Sequence, residues 1–184
     1  MANLLLPQRV MAPPVSDPTA NPVEYANQNC PPVNVRQGAS TLTLPPGSTD
    51  AFSLRYQGTI TEMARECRVA GGVMRVKVGV QGRVLVGPAG GSGQIDMPMR
   101  YAVVKEGAEP KTVVSKFYRI GVAVPDGQPN VAFTHVDDDV AFPLPPDYDL
   151  NAYVVYVGFD PVGEKQQPKK PAARPAAKPA TARR

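Results

Sequence analysis

From Val73 to Val86 the chain alternates: Met74, Val76, Val78, Val80, Val84 and Val86 fall on one side, and Arg75, Lys77, Gln81 and Arg83 on the other. Successive side chains of an extended backbone point to opposite faces, so a period of two describes a strand with one dry face and one wet face. A long strand of this kind buries its dry side against another layer, and that requirement shapes the rest of the chain. Gly79 and Gly82 interrupt the run without filling a pocket, which predicts a bulge or bend there.

Similar segments flank it. Ser40–Leu44 and Phe52–Glu66 read as the first two strands, separated by the turn residues Pro45-Pro-Gly-Ser-Thr-Asp50. After the run, Pro88-Ala-Gly-Gly-Ser-Gly93 reads as a hairpin loop. Ile95, Met97, Met99, Tyr101 and Val103 then alternate with polar residues, and Pro98 demotes this segment to a sheet edge. Thr112–Val124 forms the next strand, with a register left open around Phe117 and Tyr118, and Val131–Val140 follows the turn Pro125–Asn130. The last strand carries Tyr153, Val155, Val157 and Phe159 on one face and Val154 and Tyr156 on the other, so it is apolar on both sides. Such a strand is either covered twice, by a loop or the N-terminal leader, or exposed at an interface.

About seven strands with regular turn spacing and no helical periodicity predict an all-β, immunoglobulin-like β-sandwich. The chain has no tryptophan, and its cysteine spacing is not that of an antibody domain, so the expectation covers architecture alone. The sandwich is placed at residues 30–161. Residues 1–29, with Pro7, Pro13, Pro14, Pro18 and Pro22, read as an extended arm, and 162–184 as a disordered basic tail. A length of 184 residues allows one core with tails.

Charge divides the same way. From Gly163 to Arg184 seven basic residues stand against Glu164, a net +6, which leaves residues 1–162 at −2 within a whole-chain +4. The tail spaces Lys169, Lys170, Arg174 and Lys178 with proline and alanine, a pattern that keeps a segment extended. Its partners are expected among anionic surfaces and acidic proteins. Nucleic acid is less favoured, because the tail has no aromatic residue for base stacking. No run approaches the roughly 20 apolar residues that span a bilayer, and Ala2–Leu6, short and without a basic residue before it, does not make a secretory signal.

Motifs that would carry chemistry are sparse. Cys30 and Cys67 are too few for a tetrahedral metal site and do not form Cys-x-x-Cys, leaving a disulfide or two reduced, buried thiols. Closing that loop with a disulfide would stabilise the fold by roughly 4 kcal/mol. The single histidine, His135, precedes Asp137-Asp138-Asp139. Strand alternation brings Asp137 and Asp139 together and turns Asp138 away, which reads as a solvated, edge-protecting cluster more readily than as a cation site. Gly87–Gly93 lacks the lysine and helix of a phosphate loop, and no Gly-x-Ser-x-Gly elbow is present. No cofactor, metal or catalytic residue is expected.

Four segments together carry a resemblance: Cys30-Pro-Pro-Val-Asn-Val, Gly58-Thr-Ile-Thr-Glu-Met-Ala-Arg-Glu-Cys67, Gly82-Arg-Val-Leu-Val-Gly-Pro88 and Tyr153-Val-Val-Tyr-Val-Gly-Phe159. In order and spacing, over about residues 30–160, they resemble a family of uncharacterised cell-envelope lipoproteins of alphaproteobacteria. The resemblance implies the periplasm or outer membrane and no known activity. Cys30 follows Asn27-Gln28-Asn29, which is not a lipobox, so lipidation does not carry over. The expected function is that of a non-enzymatic envelope protein that docks on other protein subunits of a larger assembly. Val154 and Tyr156 would make contact from the last strand, and Lys169, Lys170, Arg174 and Lys178 from the tail. The alternatives are a cytoplasmic binding module whose tail grips nucleic acid, a small enzyme or metal-dependent binder centred on His135 and Asp137, and a viral or phage structural protein.

Overall fold

The computed structural model describes residues 17–166, and two four-stranded sheets face each other across a single core. Eight strands build them: β1 (Val33–Val35), β2 (Thr41–Leu44), β3 (Tyr56–Ala70), β4 (Val73–Val86), β5 (Gly93–Lys105), β6 (Lys111–Val124), β7 (Asn130–Pro143) and β8 (Tyr153–Phe159). One sheet has the order β1-β8-β5-β6 and is called sheet A; the other, sheet B, has the order β2-β3-β4-β7. All neighbours are antiparallel except β1 and β8, which pair in parallel through Val33↔Val155 and Val35↔Val157.

The alternating run is β4, paired with β3 on one side and β7 on the other. Its dry row, Met74, Val76, Val78, Val80 and Val84, is fully buried against the inner row of β5, where Met97, Met99, Tyr101 and Val103 are equally inaccessible. Each such burial is worth roughly 1.5–3 kcal/mol before the entropy of ordering is subtracted. Gly82 belongs to this inner row. The Phe133 ring lies where its Cβ would stand, within 2.3 Å, so the glycine makes room for an aromatic ring. The bulge lies opposite, on β3, where Thr61 is inserted between Ile60↔Gly82 and Glu62↔Gln81.

That insertion changes the parity of β3. Tyr56, Gly58 and Ile60 face the core before it, whereas Met63, Cys67 and Val69 pair with the inward-facing Val80, Val76 and Met74 after it. The second cysteine is thereby presented to the chain entering from the N-terminus. Cys30 and Cys67 form a disulfide with a Cα–Cα distance of 5.6 Å.

Several expectations from the sequence are corrected. Within the arm, residues 22–28 are not extended: Pro22–Gln28 form helix α1, and Tyr25 and Ala26 are buried. Asn21 caps it, accepting from the Glu24 amide at 3.2 Å and donating to the Glu24 carboxylate at 2.9 Å, while Pro22 occupies the first turn, where a missing N–H costs nothing. The Tyr25 hydroxyl donates to the Tyr148 carbonyl at 2.6 Å, and burial, with Asp149 and Asp147 nearby, pushes its pKa up to about 12. At the other end, the first residues assigned to the tail lie in a short helix, α2 (Pro161–Gln166).

The segment with Pro98 is not an edge strand. It is β5, the interior strand between β8 and β6. Pro98 is accommodated because the ladder with β8 begins only at Met99↔Phe159, and the Pro98 carbonyl on that side accepts from the Asp160 amide at 3.0 Å, so the missing N–H faces a strand that has already ended. The pairing of Asp137 with Asp139 also fails. β7 opposes the single residue Lys77 with two, Asp138 and Asp139, and this bulge turns both to solvent while Asp137 faces inward.

Candidate functional site

Two places collect polar and aromatic side chains. The first is the outer face of sheet A. On β8, Tyr153, Val155, Val157 and Phe159 enter the core, while Val154 and Tyr156 are half-buried and look outward. They lie beside the outward residues of β5 and β6, with Val104↔Val154, Ala102↔Tyr156, Ala102↔Ser115 and Arg100↔Phe117 across the ladders. A cleft of about 370 Å³ opens here, its floor made by Ala102, Val104 and Gly158.

Two guanidinium groups flank it on aromatic rings: Arg36 stands 5.4 Å from the centre of the Tyr156 ring, and Arg100 5.4 Å from that of Phe117. Arg100 also donates to Asp160 at 2.5 Å and to the Ser115 hydroxyl at 2.9 Å, and Asp160 in turn accepts from the Gly163 amide. Burial would raise the Asp160 pKa, but the Gly163 amide and Arg100 hold it below the usual carboxylate range. Arg36 forms no ion pair among the described residues. The Tyr156 pKa is raised, first by its hydrogen bond with Glu106. The loop at residues 36–39 packs on this face at Gly158, and helix α2 meets it at Arg100. Val154 and Tyr156, read from the sequence as contact residues, thus share one surface with Arg36 and Arg100, which the sequence did not single out.

The second place is the seam where the two sheets' edge strands, β6 and β7, run side by side. Asp137 of β7 is 6% exposed and accepts from Lys116 Nζ at 3.0 Å, from the Tyr118 hydroxyl at 2.8 Å and from the Asp139 amide at 3.0 Å. Two residues along β7, His135 Nδ1 is 2.8 Å from the hydroxyl of the buried Tyr101 of β5, and the Tyr118 ring lies 4.8 Å from the imidazole. Burial works against the Asp137 charge, yet the Asp139 amide, Lys116 and Tyr118 hold its pKa below the usual range. Burial also opposes the charge on Lys116, but Asp137 keeps its pKa raised. Burial, then Asp137, raises Tyr101 and Tyr118, and burial lowers His135 against the opposing pull of Asp137.

The acidic run is therefore divided. Asp137 is a buried, fully engaged acceptor, contrary to the expectation of a solvated cluster, because its carboxylate meets Lys116 and Tyr118 from the other sheet. Asp138 and Asp139 are exposed and pair with Lys77 and Arg75. Among the described residues no group of three or more His, Cys, Asp or Glu is placed to hold a metal ion. No described helix is long and apolar enough to cross a membrane. Lys169, Lys170, Arg174 and Lys178 lie outside the described residues.

The chain matches no family model, no curated protein and no solved structure. Its reading rests on its own residues.

Proposed function

We propose that this chain is an exported, non-enzymatic interaction protein of the cell envelope, a disulfide-stapled sandwich that docks a protein subunit of a larger assembly on the outer face of sheet A. The observation that carries this reading is the open cleft in which Tyr156 stands half-buried beside Arg36, with Val154 half-buried on the same face of β8. Tyrosine and arginine are enriched among residues that dominate binding energy, and a guanidinium already ordered on an aromatic ring loses little freedom when it meets a partner. Because Arg36 has no carboxylate among the described residues, the partner is a protein segment that sets an acidic side chain beside an apolar one. The disulfide supports export, since such bonds persist in oxidising compartments and are rare in the cytosol.

The test places a photo-cross-linking amino acid at Val154, at Tyr156 and, as a control on the outer face of sheet B, at Gln81 in the living source cell. The reading expects one discrete cross-linked protein from positions 154 and 156, none from 81, and loss of the product in Arg36→Glu. Equal cross-linking from all three positions, or none from 154 and 156 while the protein is folded, would overturn it.

A further inference from the structure

We infer that the β6–β7 seam is an acid-responsive closure, with His135 as its trigger: protonating the imidazole takes away the acceptor of the buried Tyr101 hydroxyl and frees these two strands from each other while the β3–β4 pair stays closed. The inference stands on hydrogen-bond valence. The Tyr101 hydroxyl is buried, and His135 Nδ1 is its one hydrogen-bond partner among the described residues. If Nδ1 carried the proton, the hydroxyl would accept and its own hydrogen would have no acceptor. The satisfied arrangement therefore has Tyr101 donating to an unprotonated Nδ1, with the ring neutral. A second ring proton turns Nδ1 into a donor and leaves a buried O–H without a partner, which is costly.

The surroundings make the seam sensitive to this change. From β5, His135 faces Tyr101; from β6, Tyr118, with Lys116 beyond it; along its own strand, Asp137. From β4 it meets Val80 across the ladder, which offers no charge to balance a cation. Asp137 would attract an imidazolium, but its carboxylate is already occupied by Lys116, Tyr118 and the Asp139 amide. No backbone ladder joins β6 to β7, so the side chains between the two edges hold that side of the sandwich closed. Burial keeps the imidazole pKa below its ordinary value, so the folded protein holds the neutral ring until the medium turns acidic.

Hydrogen exchange of the full chain, followed by mass spectrometry and corrected for intrinsic rates, tests this at about pH 7.5 and about pH 5.5, on either side of the ordinary histidine pKa. Peptides from β6 and β7 are expected to exchange about tenfold faster at the lower pH relative to those from β3 and β4, a tenfold change corresponding to one pKa unit on one group. His135→Gln, with no titrating ring, should abolish the pH effect. Tyr101→Phe, with no hydroxyl to orphan, should reduce it, and it serves as the second variant if His135→Gln does not fold. Uniform acceleration across all strands, no acceleration, or an unchanged pH effect in the variants would overturn the inference.

Discussion

Removing the Asp137 carboxylate should cost about as much as removing it together with Lys116, because the second change adds nothing once the pair is broken. In Asp137→Leu three hydrogen bonds disappear, and Lys116, whose side chain is only 31% exposed, keeps its charge without a counter-ion while the Tyr118 hydroxyl loses its acceptor. Charge-assisted hydrogen bonds are worth about 1.5–3 kcal/mol each but do not add, and the lysine can partly reach water, so the net loss is about 3 kcal/mol. Lys116→Met leaves an anion 4% exposed but still served by Tyr118 and the Asp139 amide, a loss of about 2 kcal/mol. The double variant removes both charges and should lose about 3 kcal/mol in all, giving a coupling of about 2 kcal/mol. Urea unfolding at neutral pH measures all three, with unchanged slopes showing that the states compared are the same. Added salt should reduce the coupling only in part, since Asp137 is shielded from solvent while Lys116 is partly exposed. Additivity to within about 0.5 kcal/mol would refute the account of the seam as a coupled network.

Three further outcomes follow from the same geometry. Replacing Cys30 and Cys67 by serine should lower stability by about 4 kcal/mol, the chain-entropy value for a sequence separation of 37, as read by the shift in the urea midpoint. Gly82→Ala sets a Cβ 2.3 Å from the Phe133 ring and 2.6 Å from the Thr59 carbonyl and should cost at least about 2 kcal/mol, whereas Gly79→Ala, with Val136 at 4.0 Å, should be tolerated; paired thermal melts distinguish the two. Above about pH 10 stability should fall, because the raised pKa values of Tyr101 and Tyr118 mean that the unfolded chain ionises these hydroxyls first, and the raised pKa of Lys116 means that its contribution, complete below the unfolded value, is lost as pH rises through the folded one. Lys116→Met should flatten that alkaline limb in a series of unfolding curves against pH.

The strands were legible because their signal is local. The period of two in β4 needs no knowledge of its neighbours, and the same holds for the two-faced apolar pattern of β8. The interior place of β5 was not legible, because Pro98 is excluded from a ladder only where a partner strand is present, and β8 ends one residue short of it. Helix α1 left a readable trace: Asn21-Pro-Val-Glu24 has the spacing of a capping box with proline in the first turn, overshadowed by the prolines before it. Val154 and Tyr156 could be read as outward-facing residues, but Arg36 and Arg100 join them only through sheet packing. The seam was hidden for a similar reason. His135, Asp137, Tyr101, Tyr118 and Lys116 sit on three strands from two sheets, and a bulge at Asp138–Asp139 breaks the alternation from which Asp137 and Asp139 were paired.

The central claim, an exported protein held by its staple, is tested most directly by alkylating thiols in intact source cells before lysis, then fractionating the cells and weighing the protein with and without reduction. The account predicts that Cys30 and Cys67 take up no label until reduced and that the protein is recovered with the envelope. Recovery from the cytosol with both cysteines labelled in the native protein would contradict it.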